Sequence, residues 1–212
     1  MKQYSILFLA LFLQLQIWAQ SHRLEFKTPH GNFKVMLYDF TPQHQDLILE
    51  AIKNGVYHEA LFNRVIENFV VQGGEHDDAI ALRETGIPKD QHQRLPAEFD
   101  PRAYHKMGAL GAGRDDNEQK ASFLNQLYFV VGKSVLPHEL TELEQKKGVS
   151  FTEEQRQNYL SEGGLPRLDG DYTVFGEVYE GLEVLLEISR LKTNSKDAPL
   201  QNIPFEIVEI QD

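Results

Sequence analysis

A mainly β chain closed into one antiparallel barrel is what this sequence predicts, and three observations predict it. Short stretches of alternating apolar and polar residues recur after residue 20, some eight of them, each read as a half-buried strand. Glycine, proline and asparagine turn signals separate them, and helical periodicity is confined to a few segments. So many short strands leave exposed edges unless the sheet closes on itself, which a barrel does.

In chain order the elements read as follows. Residues 1–20 are set apart from the fold. Lys2 precedes an unbroken apolar run from Ile6 to Leu13, and Ala19 is a small residue before polar sequence resumes at Gln20. That is the pattern of a cleaved secretory signal peptide, too short and too interrupted by Gln14 and Gln16 for a span of roughly 20 apolar residues. The mature chain, 21–212, is then expected in the periplasm or outside the cell, with no membrane insertion after cleavage and as a monomer. Leu24–Phe26 and Gly31–Tyr38 predict a hairpin turning at Pro29-His30-Gly31, with Phe33, Val35 and Leu37 on one face. A helix follows, with Thr41 as N-cap, Pro42 in the first turn, an Ile48–Ala51–Ile52 stripe and Gly55 as the stop.

Residues Leu61–Gln72 predict two strands broken at Glu67-Asn68 and closed by Gly73-Gly74, with Phe62, Arg64 and Ile66 on one face of the first. On the second, Phe69, Val71 and Gly73 alternate with Val70 and Gln72. Residues 75–102 lack a period and read as a long surface loop around a short Ala97-Glu98-Phe99 segment. Met107–Gly113, Leu127–Val131, Thr173–Tyr179 and Phe205–Ile210 complete the strands, with a short helix marked by Leu182, Leu185 and Ile188. Between two of these strands, 134–164 reads as a charged insertion of two helices, with a Thr152–Gln155 capping box and stops at Gly148 and Gly163-Gly164. Decoration is the default meaning of such an insertion, and a lid or docking surface is the alternative.

Composition narrows the chemistry. The 212 residues suit one domain, and a net charge of -11 argues against nucleic acid as a partner. With no cysteine there are no disulfides, no thiolate catalysis and no cysteine zinc site. His76 with Asp77 and Asp78 is the best metal-like cluster, but it lacks ligand spacing, so no metal and no cofactor are expected. Arg64, in the middle of an apolar strand, needs a use for its charge. On the strand alone the side chain either snorkels to water or makes a salt bridge to an acid such as Glu67 or Asp39.

The segment Phe62-Asn63-Arg64-Val65-Ile66-Glu67-Asn68-Phe69-Val70-Val71-Gln72-Gly73-Gly74 resembles the cyclophilin signature. The resemblance continues through Tyr38-Asp39-Phe40-Thr41-Pro42, Gly108–Arg114 and Leu168–Val178, over nearly the whole mature chain. It implies a cyclophilin-like closed eight-stranded antiparallel β-barrel with flanking helices, and peptidyl-prolyl cis–trans isomerisation of proline-containing polypeptides. It further implies that Arg64, Phe69 and Gln72 are the catalytic set. Val70, Gly113, Arg114, Gln126, Tyr128, Leu168 and Tyr172 would bind substrate, Leu168 and Tyr128 walling a proline pocket with Phe69 as its floor. The chain departs from the pattern at Asn63 (usually His), Val70 (usually Met), Leu127 (usually aromatic) and Arg167 (commonly Trp). Val70 and Tyr128 together imply a reshaped pocket, and Arg167 speaks against strong cyclosporin sensitivity. The competing expectation is a peptide-binding module or chaperone of the same fold, with little catalysis.

Overall fold

The computed structural model describes residues 22–210, so the signal-peptide expectation lies outside the described residues. Nine strands form one sheet: β1 (Arg23–Thr28), β2 (Gly31–Leu37), β3 (Leu61–Ile66), β4 (Val70–Gly74), β5 (Ala109–Ala112), β6 (Gln126–Val130), β7 (Val174–Glu180), β8 (Ile203–Pro204) and β9 (Glu206–Ile210). Every pairing is antiparallel, in the order β8-β3-β4-β6-β5-β7-β2-β1-β9. The last two strands stand at opposite ends of that order yet are separated in the chain by Phe205 alone. The barrel therefore closes through one continuous C-terminal run. Eight strands become nine because this run leaves β3 after Pro204 and pairs with β1 from Glu206; Phe205 N–H still bonds the Ala60 carbonyl at 3.0 Å.

The barrel interior is aromatic. Phe26, Phe33, Phe62 and Phe129 are fully buried, and Phe129 meets Phe26 and Phe33 edge-on at 5.1 Å between ring centres. Two helices send their apolar stripes into the same cluster: Ile48 and Ala51 from α1 (Pro42–Lys53), Leu185 and Ile188 from α5 (Leu182–Ser189).

Three expectations need correction. Thr41 precedes α1 but its side chain makes no capping bond; the Glu98 carboxylate instead accepts from the Gln43 and His44 N–H groups at 3.1 and 2.9 Å. Glu98 arrives from a distant loop, so no local pattern announces it. Within 75–102 there is a helix, α2 (Asp77–Arg83), and a 3-10 turn at Lys89–Gln91. His76 caps α2, accepting from Asp78 N–H at 3.0 Å, and a seven-residue helix that buries only Ile80 shows no period. The expected alternation of Phe62, Arg64 and Ile66 also fails. Phe62 pairs with Gly73 but Arg64 pairs with Gln72, so Asn63 is an extra, bulged residue. The bulge leaves Phe62 and Val65 facing the interior and turns Arg64 outward.

The insertion takes the expected form: α3 (Pro137–Lys147) ends at Gly148 in the left-handed region, and α4 (Glu153–Ser161) opens with the Thr152–Gln155 capping box. Both lie between β6 and β7.

Candidate functional site

The outer face of β3, β4, β6 and β5 carries a transverse row created by register: Arg64 opposite Gln72, Gln72 opposite Tyr128, Tyr128 opposite Gly111. Without the Asn63 bulge Arg64 would share the inward face of Phe62. Asn63 holds the bulge by donating from its side chain to the Gly74 carbonyl at 2.9 Å. Gly111 is required here, since a Cβ on it would run into the Tyr128 ring that lies across it. Gly113 leaves room for the Gln126 side chain, which a Cβ there would displace.

Above this row is a cleft of about 180 Å³. Its lining includes all ten residues singled out in the sequence: Arg64, Phe69, Val70, Gln72, Gly113, Arg114, Gln126, Tyr128, Leu168 and Tyr172. Asp77 and Arg167 line it as well. Asp77 had drawn notice only as a metal-like acid, and it binds Gln126 Nε2 through its carboxylate at 2.6 Å. Arg167, which stands where the family commonly has Trp, lies over the Phe69 ring at 4.7 Å.

The cleft has an apolar half and a polar half. Val70, Tyr128 and Leu168 belong to a second buried cluster on the outside of the barrel, with Phe69 and Tyr172 packed against it. Phe69 sits in the turn before β4, not in the strand, so it joins Val70 on this side and does not share the inward face of Val71. Asn68, at φ 60°, makes that turn. Tyr172 stands edge-on to Tyr128 at 6.0 Å, and Arg114 stacks on Tyr172 at 4.6 Å while its Nε donates to the Asp171 carbonyl at 2.6 Å. Burial, then the nearby Tyr172 and Asp169, hold the Tyr128 phenol well above its ordinary range, so it is a neutral hydroxyl.

Arg64 is the hinge between the halves. Its side chain is 35% exposed, and its partner is Asp197, Nε to Oδ2 at 3.7 Å, not Glu67 or Asp39. Asp197 comes from the loop before β8, which bonds β3 through Val65 N–H at 2.8 Å, a tertiary pairing no local reading supplies. A further Nη1 contact to Gln72 Oε1 is long, at 3.5 Å. Such loose engagement orients the guanidinium without consuming its five donors. The arrangement offers an oriented cationic donor beside a small apolar pocket, and no group of three His, Cys, Asp or Glu side chains able to hold a metal occurs among the described residues.

Comparison with known proteins agrees on the chain's relatives. A family model described as cyclophilin type peptidyl-prolyl cis-trans isomerase/CLD matches residues 23–210. A Staphylococcus saprophyticus protein bearing the name peptidyl-prolyl cis–trans isomerase is 31% identical over 177 residues, covering 82% of this chain and 84% of that one. A like-named Staphylococcus haemolyticus protein is 27% identical over 204 residues, covering 94% and 96%. Among solved structures, a cyclophilin-type isomerase from Cryptosporidium parvum superposes with a TM-score of 0.64 at 18% identity, over 91% of this chain and 99% of that one. A second structure of that protein, determined in the presence of the dipeptide Ala-Pro, gives 0.62 at 19% identity, over 90% and 99%.

Proposed function

The chain belongs to the cyclophilin-type peptidyl-prolyl cis–trans isomerases, and we propose that it works by aiming Arg64 at the nitrogen of a twisted X–Pro amide. The uncatalysed bond turns slowly because amide resonance must be broken, a barrier of about 18–20 kcal/mol. Twisting leaves the prolyl nitrogen pyramidal, with a lone pair that accepts a hydrogen bond. A donor fixed where that lone pair develops stabilises the twisted state more than either planar one, and each factor of ten in rate needs about 1.4 kcal/mol of such preference. No bond is made or cut, so the step requires no nucleophile.

The remaining roles follow from position. Phe69, Val70, Tyr128 and Leu168 supply the apolar pocket for the prolyl ring, and Tyr172 extends it. Gln72, opposite Arg64 in the ladder, steadies the guanidinium and meets the substrate backbone. Gly113, Arg114 and Gln126 line the path of the residues before proline. The observation that carries the reading is the convergence of Arg64, turned outward by the Asn63 bulge, with this apolar pocket in one cleft. The Ala-Pro dipeptide used with the Cryptosporidium relative supports proline-containing polypeptides as substrates. The N-terminal pattern supports chains folding outside the cytoplasm as the clients of the mature protein, 21–212.

A chromogenic X–Pro peptide assay on the purified mature chain tests this. We expect cis-to-trans conversion to accelerate in proportion to protein concentration. Saturable binding of the peptide without acceleration would identify a binding module and sink the proposal.

A further inference from the structure

Helices α3 and α4 bury little of their own surface. Leu140 and Tyr159 are fully buried, and with Tyr104 and Val135 they make a third small cluster, against which Phe151 and Leu160 pack. Such sparse apolar contact gives two charged helices little reason to stay docked. Asn158 and Gln155 of α4 bond the Tyr104 hydroxyl and the Pro101 carbonyl, and beyond these one polar group from each helix reaches the same seven residues of chain.

From the last turn of α3, Lys147 Nζ donates to the Arg167 carbonyl at 2.6 Å, the Asp169 carbonyl at 2.8 Å and the Asp171 carboxylate at 2.7 Å. From α4, the Tyr159 hydroxyl donates to Asp169 Oδ2 at 2.6 Å. The stretch held in this way, 166–172, supplies Arg167, Leu168 and Tyr172 to the cleft.

The other oxygen of Asp169 carries the link further. Asp169 Oδ1 lies 2.8 Å from His105 N–H and 2.7 Å from His105 Nδ1. A carboxylate oxygen accepts, so His105 Nδ1 donates to Asp169, and His105 Nε2 shares a hydrogen bond with the Tyr128 hydroxyl at 2.8 Å. Burial raises both phenols, Tyr159 and Tyr128, above their ordinary range and keeps both hydroxyls protonated. An unbroken chain, Tyr159–Asp169–His105–Tyr128, thus runs from the insertion to the ring that walls the apolar pocket. Its histidine is 1% exposed, so the His105–Tyr128 bond is shielded from solvent.

We infer that Lys147 and Tyr159 are positioning residues for the substrate cleft, and that the insertion is a buttress for its apolar wall. This rests on reading the cleft as the X–Pro site. Leu168, Tyr172 and Tyr128 surround the prolyl ring in the planar and the twisted states alike. Loosening them weakens binding of both and raises KM, whereas Arg64 acts on the twisted state and sets kcat.

The test uses the full mature chain with Tyr159→Phe, which keeps the packed ring and deletes one hydrogen bond, and with Lys147→Met. Wild type and Arg64→Ala are assayed beside them on an Ala-Pro chromogenic peptide, with thermal midpoints for all four. We expect KM to rise by about three- to ten-fold in each insertion variant, with kcat within about two-fold of wild type. Lys147 is partly exposed, so its variant keeps the test available should Tyr159→Phe fold poorly. Unchanged KM in a folded variant, or a fall in kcat alone, overturns the inference. A merely structural role would lower the midpoint and leave KM where it was. Full activity in Arg64→Ala would instead overturn the reading of the cleft, a separate failure.

Discussion

Strands β3, β4 and β6 carry two surfaces with opposite logic. Inward, Phe62, Val65, Val71, Leu127 and Phe129 join one large apolar cluster in which each ring has several neighbours. Outward, the same strands present Arg64, Gln72 and Tyr128, each with a particular partner at a particular register position. The inner face is built from many interchangeable contacts and supplies stability. The outer face is built from few, and supplies a geometry in which a cation stands beside an apolar pocket. One bulged residue, Asn63, divides the two assignments along β3.

If that division is right, inner and outer substitutions should fail in different ways. The largest stability effect belongs inside. Phe129→Ala removes a fully buried ring that touches Phe26, Phe33 and Phe62 and should cost about 3–5 kcal/mol in denaturant unfolding. The fraction still folded should retain its kcat; a folded but inactive protein would break the comparison.

A smaller effect belongs to the loop that caps α1. Glu98→Gln should cost about 1–2 kcal/mol at neutral pH, because a carboxylate accepting from two helix N–H groups is lost. Burial would raise the Glu98 carboxyl, but bonds from His44 and from the backbone of Gln43 and His44 outweigh it and hold it below its ordinary value. A group depressed in the folded state contributes fully above its unfolded value, about 4.3, and loses that contribution as pH falls through the folded value. The gap in thermal midpoint between wild type and Glu98→Gln should therefore narrow below about pH 4.3. A gap that widened there would contradict the assignment. His44, depressed mainly by burial although the Glu98 bond opposes it, loses stability in the same direction, beginning nearer pH 6.5.

The smallest effect belongs on the outer face. Asp197→Asn breaks a half-exposed pair at 3.7 Å and should change stability by less than about 0.5 kcal/mol in urea melts. A loss of several times that size would mean Arg64 is a structural ion-pair residue, and the division of labour would fail.

The two faces were also unequally legible in the sequence. Alternation in Phe33, Val35 and Leu37 marked a strand because burial on one side leaves a period-two trace. The flanking segments Phe62–Gly74 and Gly108–Arg114 pointed to the cleft residues through family resemblance, and those residues do meet. What could not be read were features that depend on distant partners. The bulge at Asn63 appears only once Gly73 and Gln72 are set against β3. Glu98 caps a helix more than fifty positions earlier in the chain, and Asp197 replaces the local acids expected for Arg64. The tie from Tyr159 to Tyr128 passes through His105, which carries no periodic or motif signal, and through Asp169, whose place in the Leu168–Val178 segment says nothing of its partners.

The outward arginine is tested most directly by catalysis of a proline-limited refolding reaction with wild type and Arg64→Ala, thermal midpoints being read on the same samples. The account predicts a loss of at least about 100-fold in kcat/KM, the scale of one preorganised donor, with the midpoint nearly unchanged. Equal activity in Arg64→Ala, or an activity loss that merely follows a collapse in the midpoint, would contradict it.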